Sequence, residues 1–268
     1  MGFYSVLSRY YDEIFPPSPQ ALAFLREVLT GHRVRKVLDV ACGTGRYAVE
    51  LATWGLKVSA LDFAWEMAQQ VEEKARAAAV QVEVRVGDMR QVPRYFPGPF
   101  HAVLCLGNSL AHLTEKGEIE TFFERVHFIL RPGGLFILQV VNFDRILSQG
   151  IRTLPTIERE GLIFERYYDP GYLPGTIYFR TRLRVDRPPE PPLDYTARTL
   201  LRPVRAAELT AWLAEKGFGE LELYGDFDRR PHDEEAPAIV VVARKKPEEP
   251  KGAKQEAPVV DPAGPEYK

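Results

Sequence analysis

Apolar positions recur with two different periods in two parts of this chain. Between residues 36 and 141, short apolar runs alternate with stretches in which apolar residues return every three or four positions, the pattern of strands interleaved with helices. The runs 36–41 (KVLDVA), 57–62 (KVSALD), 81–86 (QVEVRV), 100–107 (FHAVLCLG) and 135–141 (LFILQVV) read as five strands. The segments 45–54, 64–79 and 115–130 read as helices. Met67, Ala68, Val71, Ala75 and Ala78 share one stripe, and Ile119, Phe122, Phe123, Val126, Ile129 and Leu130 share another. The almost unbroken apolar run at 100–107 is expected to be a central strand buried on both faces. The helix at 115–130 is expected to stop before Arg131-Pro132-Gly133-Gly134, where proline and glycine turn the chain. Alternation of this kind predicts a doubly wound parallel sheet with helices on both faces.

After residue 150 the period falls to two. Residues 162–168 and 176–186, joined by DPGYLPG, read as an antiparallel hairpin, and 194–201 reads as a third strand. Ile177, Phe179, Leu183 and Val185 share one face, with Tyr178, Arg180, Arg182 and Arg184 on the other. A helix at 205–216 ending at Gly217 and strands at 220–224 and 238–244 return to the α/β pattern. The expected organisation is an N-terminal helical cap (1–34), a ligand-binding core (35–150) and an antiparallel β insertion covering the substrate site (151–204). The core's C-terminal part (205–246) and a disordered tail rich in Pro, Glu and Lys (247–268) complete it.

Charge and composition narrow the function. With 268 residues, 27% charged and a net charge of −2, nothing in the balance favours nucleic acid or an anionic membrane. No stretch approaches the roughly 20 apolar residues of a membrane span, and the N-terminus has no signal-peptide run. Cys42 and Cys105 are too few for a disulfide framework, which favours the cytoplasm. Neither has local charge to lower a thiol pKa, so both read as packing. No His/Cys/Asp/Glu cluster has metal-ligand spacing, and no metal is expected.

The chemistry concentrates after the strand ends. Asp39-Val40-Ala41-Cys42-Gly43-Thr44-Gly45 lies between the first strand and its helix, where glycines let a ligand approach the backbone and amides face it. Asp62 ends the second strand, 19 positions beyond Gly43, where a carboxylate accepts from both hydroxyls of a ribose. Gly43-x-Gly45-x-x-Ala48 with Asp62 also fits a dinucleotide fingerprint, so a nicotinamide-dependent oxidoreductase is an alternative. Asp39 disfavours it without removing it: a carboxylate beside the turn repels a pyrophosphate but suits an ammonium and a sulfonium. Gly87-Asp88-Met89 ends the third strand, with Asp88 placed to accept from an adenine amino group and Met89 to pack on the base. The bland reading of Asp88 is a turn residue.

These residues resemble class I S-adenosylmethionine-dependent methyltransferases: VLDVACGTG (37–45) looks like the first motif, ALDFAWEM (60–67) the ribose loop, VGDMR (86–90) the adenine loop and RPGG (131–134) the late turn. The resemblance implies a seven-stranded sheet of order 3-2-1-4-5-7-6 with the last strand antiparallel, carrying the insertion as a β lid. It implies S-adenosyl-L-methionine as cofactor, held by Tyr4, Tyr11, Asp39, Ala41, Gly43, Gly45, Asp62, Phe63, Asp88, Met89 and Leu106. CLGNSLAHL (105–113), RPGGLFILQVVNFDRIL (131–147), YGDF (224–227) and IVVVARKK (239–246) are similar to glycine N-methyltransferase. One departure stands out. Val141 replaces the arginine that holds an amino-acid carboxylate in that enzyme, and valine cannot make a bidentate, charge-assisted contact.

The expected activity is direct in-line methyl transfer to a small molecule, at nitrogen. Asn108 and His112, with Tyr11 from the aromatic N-terminal segment, are the candidate catalytic groups. The Asn/Asp-Pro-Pro-Tyr/Phe motif of enzymes that methylate nucleobase amines is missing after the fourth strand, where GNSLAHL stands. A non-catalytic cofactor-binding module is a further alternative. Arg180, Arg182, Arg184, Arg198 and Arg202 read as a solvated sheet face rather than an anion site, and Tyr167 and Tyr168 as packing. No interface argument arises for an oligomer.

Overall fold

The computed structural model describes residues 3–247, with side chains from Ser5 onward. Apart from Pro247, the expected disordered tail lies outside the described residues.

Two short helices, α1 (Phe3–Leu7) and α2 (Tyr11–Ile14), flank a 3-10 turn and precede α3 (Pro19–Gly31). Ser18 caps α3, accepting from the Ala21 amide at 3.3 Å, and Pro19 occupies the first helical position, where its missing N–H costs nothing. The chain then alternates through β1 (Lys36–Val40), α4 (Arg46–Thr53), β2 (Lys57–Asp62), α5 (Trp65–Ala77), β3 (Val82–Val86), α6 (Val92–Tyr95), β4 (Phe100–Cys105), α7 (Glu118–Ile129) and β5 (Leu130–Val141). After α8 (Phe143–Ser148) come β6 (Thr153–Arg159), β7 (Leu162–Pro170), β8 (Ile177–Val185) and β9 (Leu193–Leu201), then α9 (Ala206–Glu215), β10 (Phe218–Tyr224) and β11 (Ala238–Lys245).

The main sheet runs β3-β2-β1-β4-β5-β11-β10, with β11 antiparallel to both neighbours. This is the order 3-2-1-4-5-7-6 once the insertion is set aside. Central β1, β4 and β11 are buried on both faces, whereas edge strand β3 stays half exposed, as its alternation of valine with polar residues requires. Two apolar clusters fill the faces, one around Phe100, Phe122, Phe123 and Phe136, the other around Leu25, Leu51 and Ile137.

Several expectations shift. The fourth strand ends at Cys105, because Gly107 adopts φ +86° and turns the chain toward the site. The Arg131–Gly134 turn is absorbed into β5 as a bulge: Phe100 pairs with Leu130 but Ala102 with Leu135. The insertion has four strands in the order β6-β7-β8-β9; β6 carries few large apolar residues, and α8 is only six residues long, too short to show a helical period.

The inserted sheet is held over the C-terminal ends of the core strands. Leu7 and Ile14 pack with Leu162, Phe164 and Leu183, while Ala111 and Phe143 pack with Tyr168, Ile177 and Leu201. Glu13 pairs with Arg187, clamping the N-terminal segment to the sheet. Asp12 accepts from the Thr44 hydroxyl and pairs with Lys74, clamping the same segment to the core. Asn142 is buried and donates to the carbonyls of Asp233 (3.1 Å) and Ala236 (2.9 Å); Asp144 accepts from the Ala206 amide (2.9 Å), capping α9. The Asn142-Phe143-Asp144 segment therefore acts as a structural latch.

Candidate active site

Three chain reversals build the floor. Between β1 and α4, Ala41, Gly43 and Gly45 all adopt positive φ (54°, 56° and 75°). Alanine there costs about 1 kcal/mol, a strain the surrounding fold holds in place. The Gly43 amide donates to Oδ2 of Asp62 at 2.8 Å, and the Ala64 amide donates to Oδ1 at 2.9 Å. One carboxylate thus ties the first loop to the second, with acceptor capacity left on both oxygens. Burial raises the Asp62 pKa, against the lowering effect of these amides. The third loop joins them through the Gly87 amide, which donates to the Asp62 carbonyl at 2.8 Å.

Asp39 lies directly behind the turn, buried, with Oδ2 lacking any hydrogen-bond partner. Burial, then the nearby charge of Asp62, pushes its pKa up to about 7, with Arg46 pulling the other way. Asp88 is engaged: its carboxylate accepts from the Arg90 amide (2.8 Å) and guanidinium, and Arg90 also pairs with Glu118. Arg90 holds Asp88 below its ordinary pKa.

These loops form one wall of a cavity of about 570 Å³. The opposite wall comes from the inserted sheet through Leu154, Phe164, Arg166, Tyr168, Phe179 and Leu201. Tyr11 closes one side: a Cβ on Gly43 would lie 3.6 Å from its ring, so the phenol sits close over the glycine turn. Asn108, Ser109 and His112 follow β4 between the two walls. The Asn108 side-chain oxygen accepts from the Val141 amide at 3.1 Å, and Gln139 Oε1 accepts from the Gly107 amide at 2.6 Å. Burial lowers the His112 pKa to about 4, so the imidazole is neutral near pH 7 and is a poor proton acceptor. Burial raises Tyr11, which stays a protonated hydroxyl.

Of the residues singled out from sequence, Tyr11, Ala41, Gly43, Asp62, Phe63, Asp88, Met89, Asn108 and His112 line this one cavity. Phe63 is 78% exposed at its rim. Asp39, Gly45 and Leu106 do not line it. Leu106 is buried, and Gly45 instead abuts α5, where a Cβ would lie 2.6 Å from both Val71 methyl carbons. Tyr4 belongs to α1, but its side chain falls outside the described residues. Arg46, Gln139 and Arg166 were missed. Gln139 sits inside an apolar strand run, a polar interruption that could have flagged it. The outer arginines are paired: Arg180 with Asp169, Arg182 with Asp194, Arg184 with Glu165 and Arg202 with Glu208. Arg198 stacks over Tyr178, and burial pushes both cysteine thiols up.

Residues 37–134 match a family described as a methyltransferase domain. The chain is 29% identical over 223 residues to a glycine/sarcosine N-methyltransferase of Aphanothece halophytica, covering 83% of this chain and 80% of that one. It is 33% identical over 141 residues to glycine N-methyltransferase of Homo sapiens, spanning 48% of each. Its fold is shared with a S-adenosylmethionine-dependent methyltransferase from Clostridium acetobutylicum, at TM-score 0.79 and 16% identity, covering 91% of this chain and all of that one. The sugar N-methyltransferase KedS8 from Streptoalloteichus shares it at TM-score 0.68 and 20% identity, covering 91% and 93%. Residues 37–134 are a methyltransferase domain, and the chain is similar over most of its length to S-adenosylmethionine-dependent N-methyltransferases of the glycine/sarcosine type.

Proposed function

We infer that this protein methylates the nitrogen of a small molecule bound between the core loops and the inserted sheet. The observation that carries this reading is the single cavity whose two walls come from these two parts of the chain. The residues present fit the cofactor: the backbone of the glycine turn and the spare acceptor capacity of Asp62 on the cavity wall match an amino-acid tail and a ribose. Asp62 would hold the ribose hydroxyls, Met89 the adenine face and Tyr11 the sulfonium side. Asp88, already occupied by Arg90, serves the adenine only if it shares that pairing.

When bound, the sulfonium supplies an activated methyl group, so the chain's own task is alignment at about 3 Å and exclusion of water. Asn108 and Gln139 fix the ends of β4 and β5 by accepting backbone amides, which holds the floor of the acceptor pocket. Neutral His112 is suited to hydrogen-bond an amine rather than to deprotonate it, so the acceptor loses its proton to solvent before or during entry. The N-methyltransferase names of the relatives support nitrogen as the target. The unpaired cysteines support a reducing cytoplasmic setting.

Calorimetric binding of S-adenosylmethionine, S-adenosylhomocysteine and the nicotinamide dinucleotides, followed by radiolabelled methyl transfer to amines, tests this reading. Binding of the adenosyl ligands with transfer to an amine is expected. Binding of a dinucleotide alone would overturn it.

A further inference from the structure

Aromatic rings from separate parts of the chain meet where the inserted sheet lines the cavity. Phe15, just after α2, lies edge-on to Phe164 of β7, with ring centres 5.8 Å apart. Four residues along the same face of β7, Tyr168 stands opposite Phe179 of β8, with ring centres 5.6 Å apart. Val141, Leu154 and Phe179 pack on the apolar cluster that holds Tyr168 and Leu201, and all of these line the cavity. Phe164 and Tyr168 are buried behind, whereas Phe15, Val141, Leu154 and Phe179 stay half-buried and present apolar surface to the open volume. An apolar body placed there removes that surface from water, which favours binding.

An aromatic wall takes two kinds of guest, another ring or a cation lying over its faces. Arg166 decides between them. It sits between Phe164 and Tyr168 on the same face of β7, opposite Leu154 and Thr181. Its Nη2 donates to the Pro155 carbonyl at 2.7 Å, its Nε is buried without an acceptor, and no carboxylate among the described residues pairs with it. The carboxylates lining the cavity belong to the core side. Asp62 holds the loop amides, Asp88 and Glu118 hold Arg90, and the Glu115 amide donates to Glu118 at 3.0 Å. A cationic guest on the inserted wall therefore meets an uncompensated guanidinium and is repelled. An aromatic ring meets it favourably, because a guanidinium stacks on ring faces.

We propose that the methyl acceptor is an amine built on a flat aromatic body, its ring seated against Phe179, Leu154 and Val141 and its nitrogen directed to the strand ends. The proposal rests on the methyltransferase reading of this cavity and names the substrate class for it. The nitrogen lone pair takes the methyl group as the carbon–sulfur bond breaks toward sulfur, and the surplus proton leaves to water.

The test is calorimetric titration of the full chain, loaded with S-adenosylhomocysteine. The titrants are benzylamine, aniline, cyclohexylmethylamine, methylamine, glycine, sarcosine and tetramethylammonium. Benzylamine or aniline is expected to bind about 10- to 100-fold more tightly than methylamine, the range for burying a ring of this size. Benzylamine should also exceed its saturated counterpart, cyclohexylmethylamine, by a few-fold, roughly the gain from aromatic pairing. Phe179→Ala should remove most of the aryl advantage while still binding S-adenosylhomocysteine, and Phe179→Leu should keep part of it. Arg182→Gln, on the outer face, should leave it unchanged. No aryl advantage over methylamine, an advantage that survives Phe179→Ala, or a saturated ring that binds as tightly would overturn the proposal. So would tighter binding of glycine or sarcosine than of both aryl amines, or of tetramethylammonium, which would make the wall a cage for a cation. If the wild type fails to bind S-adenosylhomocysteine, the methyltransferase reading fails first and the proposal with it; indifference to the ring with that ligand bound would defeat the proposal alone.

Discussion

The two walls of the cavity are built on different principles. The core wall is made of backbone: three loops at the ends of parallel strands, drawn together at Asp62, whose carboxylate accepts from the Gly43 and Ala64 amides and whose carbonyl accepts from the Gly87 amide. The inserted wall is made of side chains on an antiparallel sheet, mainly aromatic and aliphatic, with Arg166 as the charged member. Backbone loops tolerate little change, because each amide position depends on a φ that few residues adopt. A sheet face can exchange side chains while its ladder stays intact. The comparison teaches that the core wall is fixed by its backbone geometry, whereas the inserted wall is set by side chains carried on a ladder that does not depend on them.

The strongest way to break the core wall is through its packing. Gly45→Ala places a Cβ 2.6 Å from the methyl groups of Val71, a buried β-branched side chain, at φ +75°. Overpacking and left-handed strain together should lower stability by about 3 kcal/mol, read by urea denaturation. A loss below about 1 kcal/mol would mean that α5 moves aside easily and that the wall is softer than its geometry implies.

Next in size, Asp62→Ala should weaken S-adenosylhomocysteine binding by about 100-fold in calorimetry, since it removes the proposed ribose acceptor and releases two amides at once. Once the ligand is saturating, the acceptor preference of the inserted wall should persist. Joint loss of both would show that the walls are one cooperative unit rather than two.

Asp39 sharpens the comparison through pH. Its folded pKa of about 7 lies above the ordinary value of 3.8, so between these values the folded chain holds a proton that the unfolded chain has released. The stabilisation this provides is complete below the unfolded value and is lost as pH rises through about 7. Asp39→Asn should therefore gain on the wild type between pH 5 and pH 8, on the order of several °C in thermal melting. His112 works in the opposite direction: with its pKa lowered to about 4, it costs stability as pH falls below 6.5. An Asp39→Asn difference that is the same at both pH values would refute the titration of Asp39.

The smallest effect belongs to the outer face of the inserted sheet. Arg182→Gln breaks an exposed pair with Asp194 and should change stability by less than about 1 kcal/mol. A large loss in melting experiments would mean that the outer ion pairs hold the sheet together, and the separation between inner and outer faces would fail.

How much of this was legible in the chain follows from the range over which each feature is determined. The strand runs, the glycine turn and the spacing from Gly43 to Asp62 are local, and they placed nine of the expected site residues on one cavity. Tertiary packing put other residues in surroundings that local pattern did not show. Gly45 was expected at the ligand but packs on Val71, because helix start and cofactor turn share the same residues. The Arg131–Gly134 turn became a bulge because Leu130 and Leu135 on either side of it pair with Phe100 and Ala102 of β4.

Sequence alone determined the alternating architecture, the strand order implied by its motif likeness, and the carboxylates at the strand ends, because periodicity and φ preference are properties of short segments. Tertiary structure decided which arginines are paired, that Asp39 is buried with an orphaned oxygen, that His112 is neutral, and that Arg166 faces the cavity. These depend on which distant residues remove water from a group and whether one of them carries the opposite charge. Neither desolvation nor a missing counter-ion is written in the order of neighbouring residues.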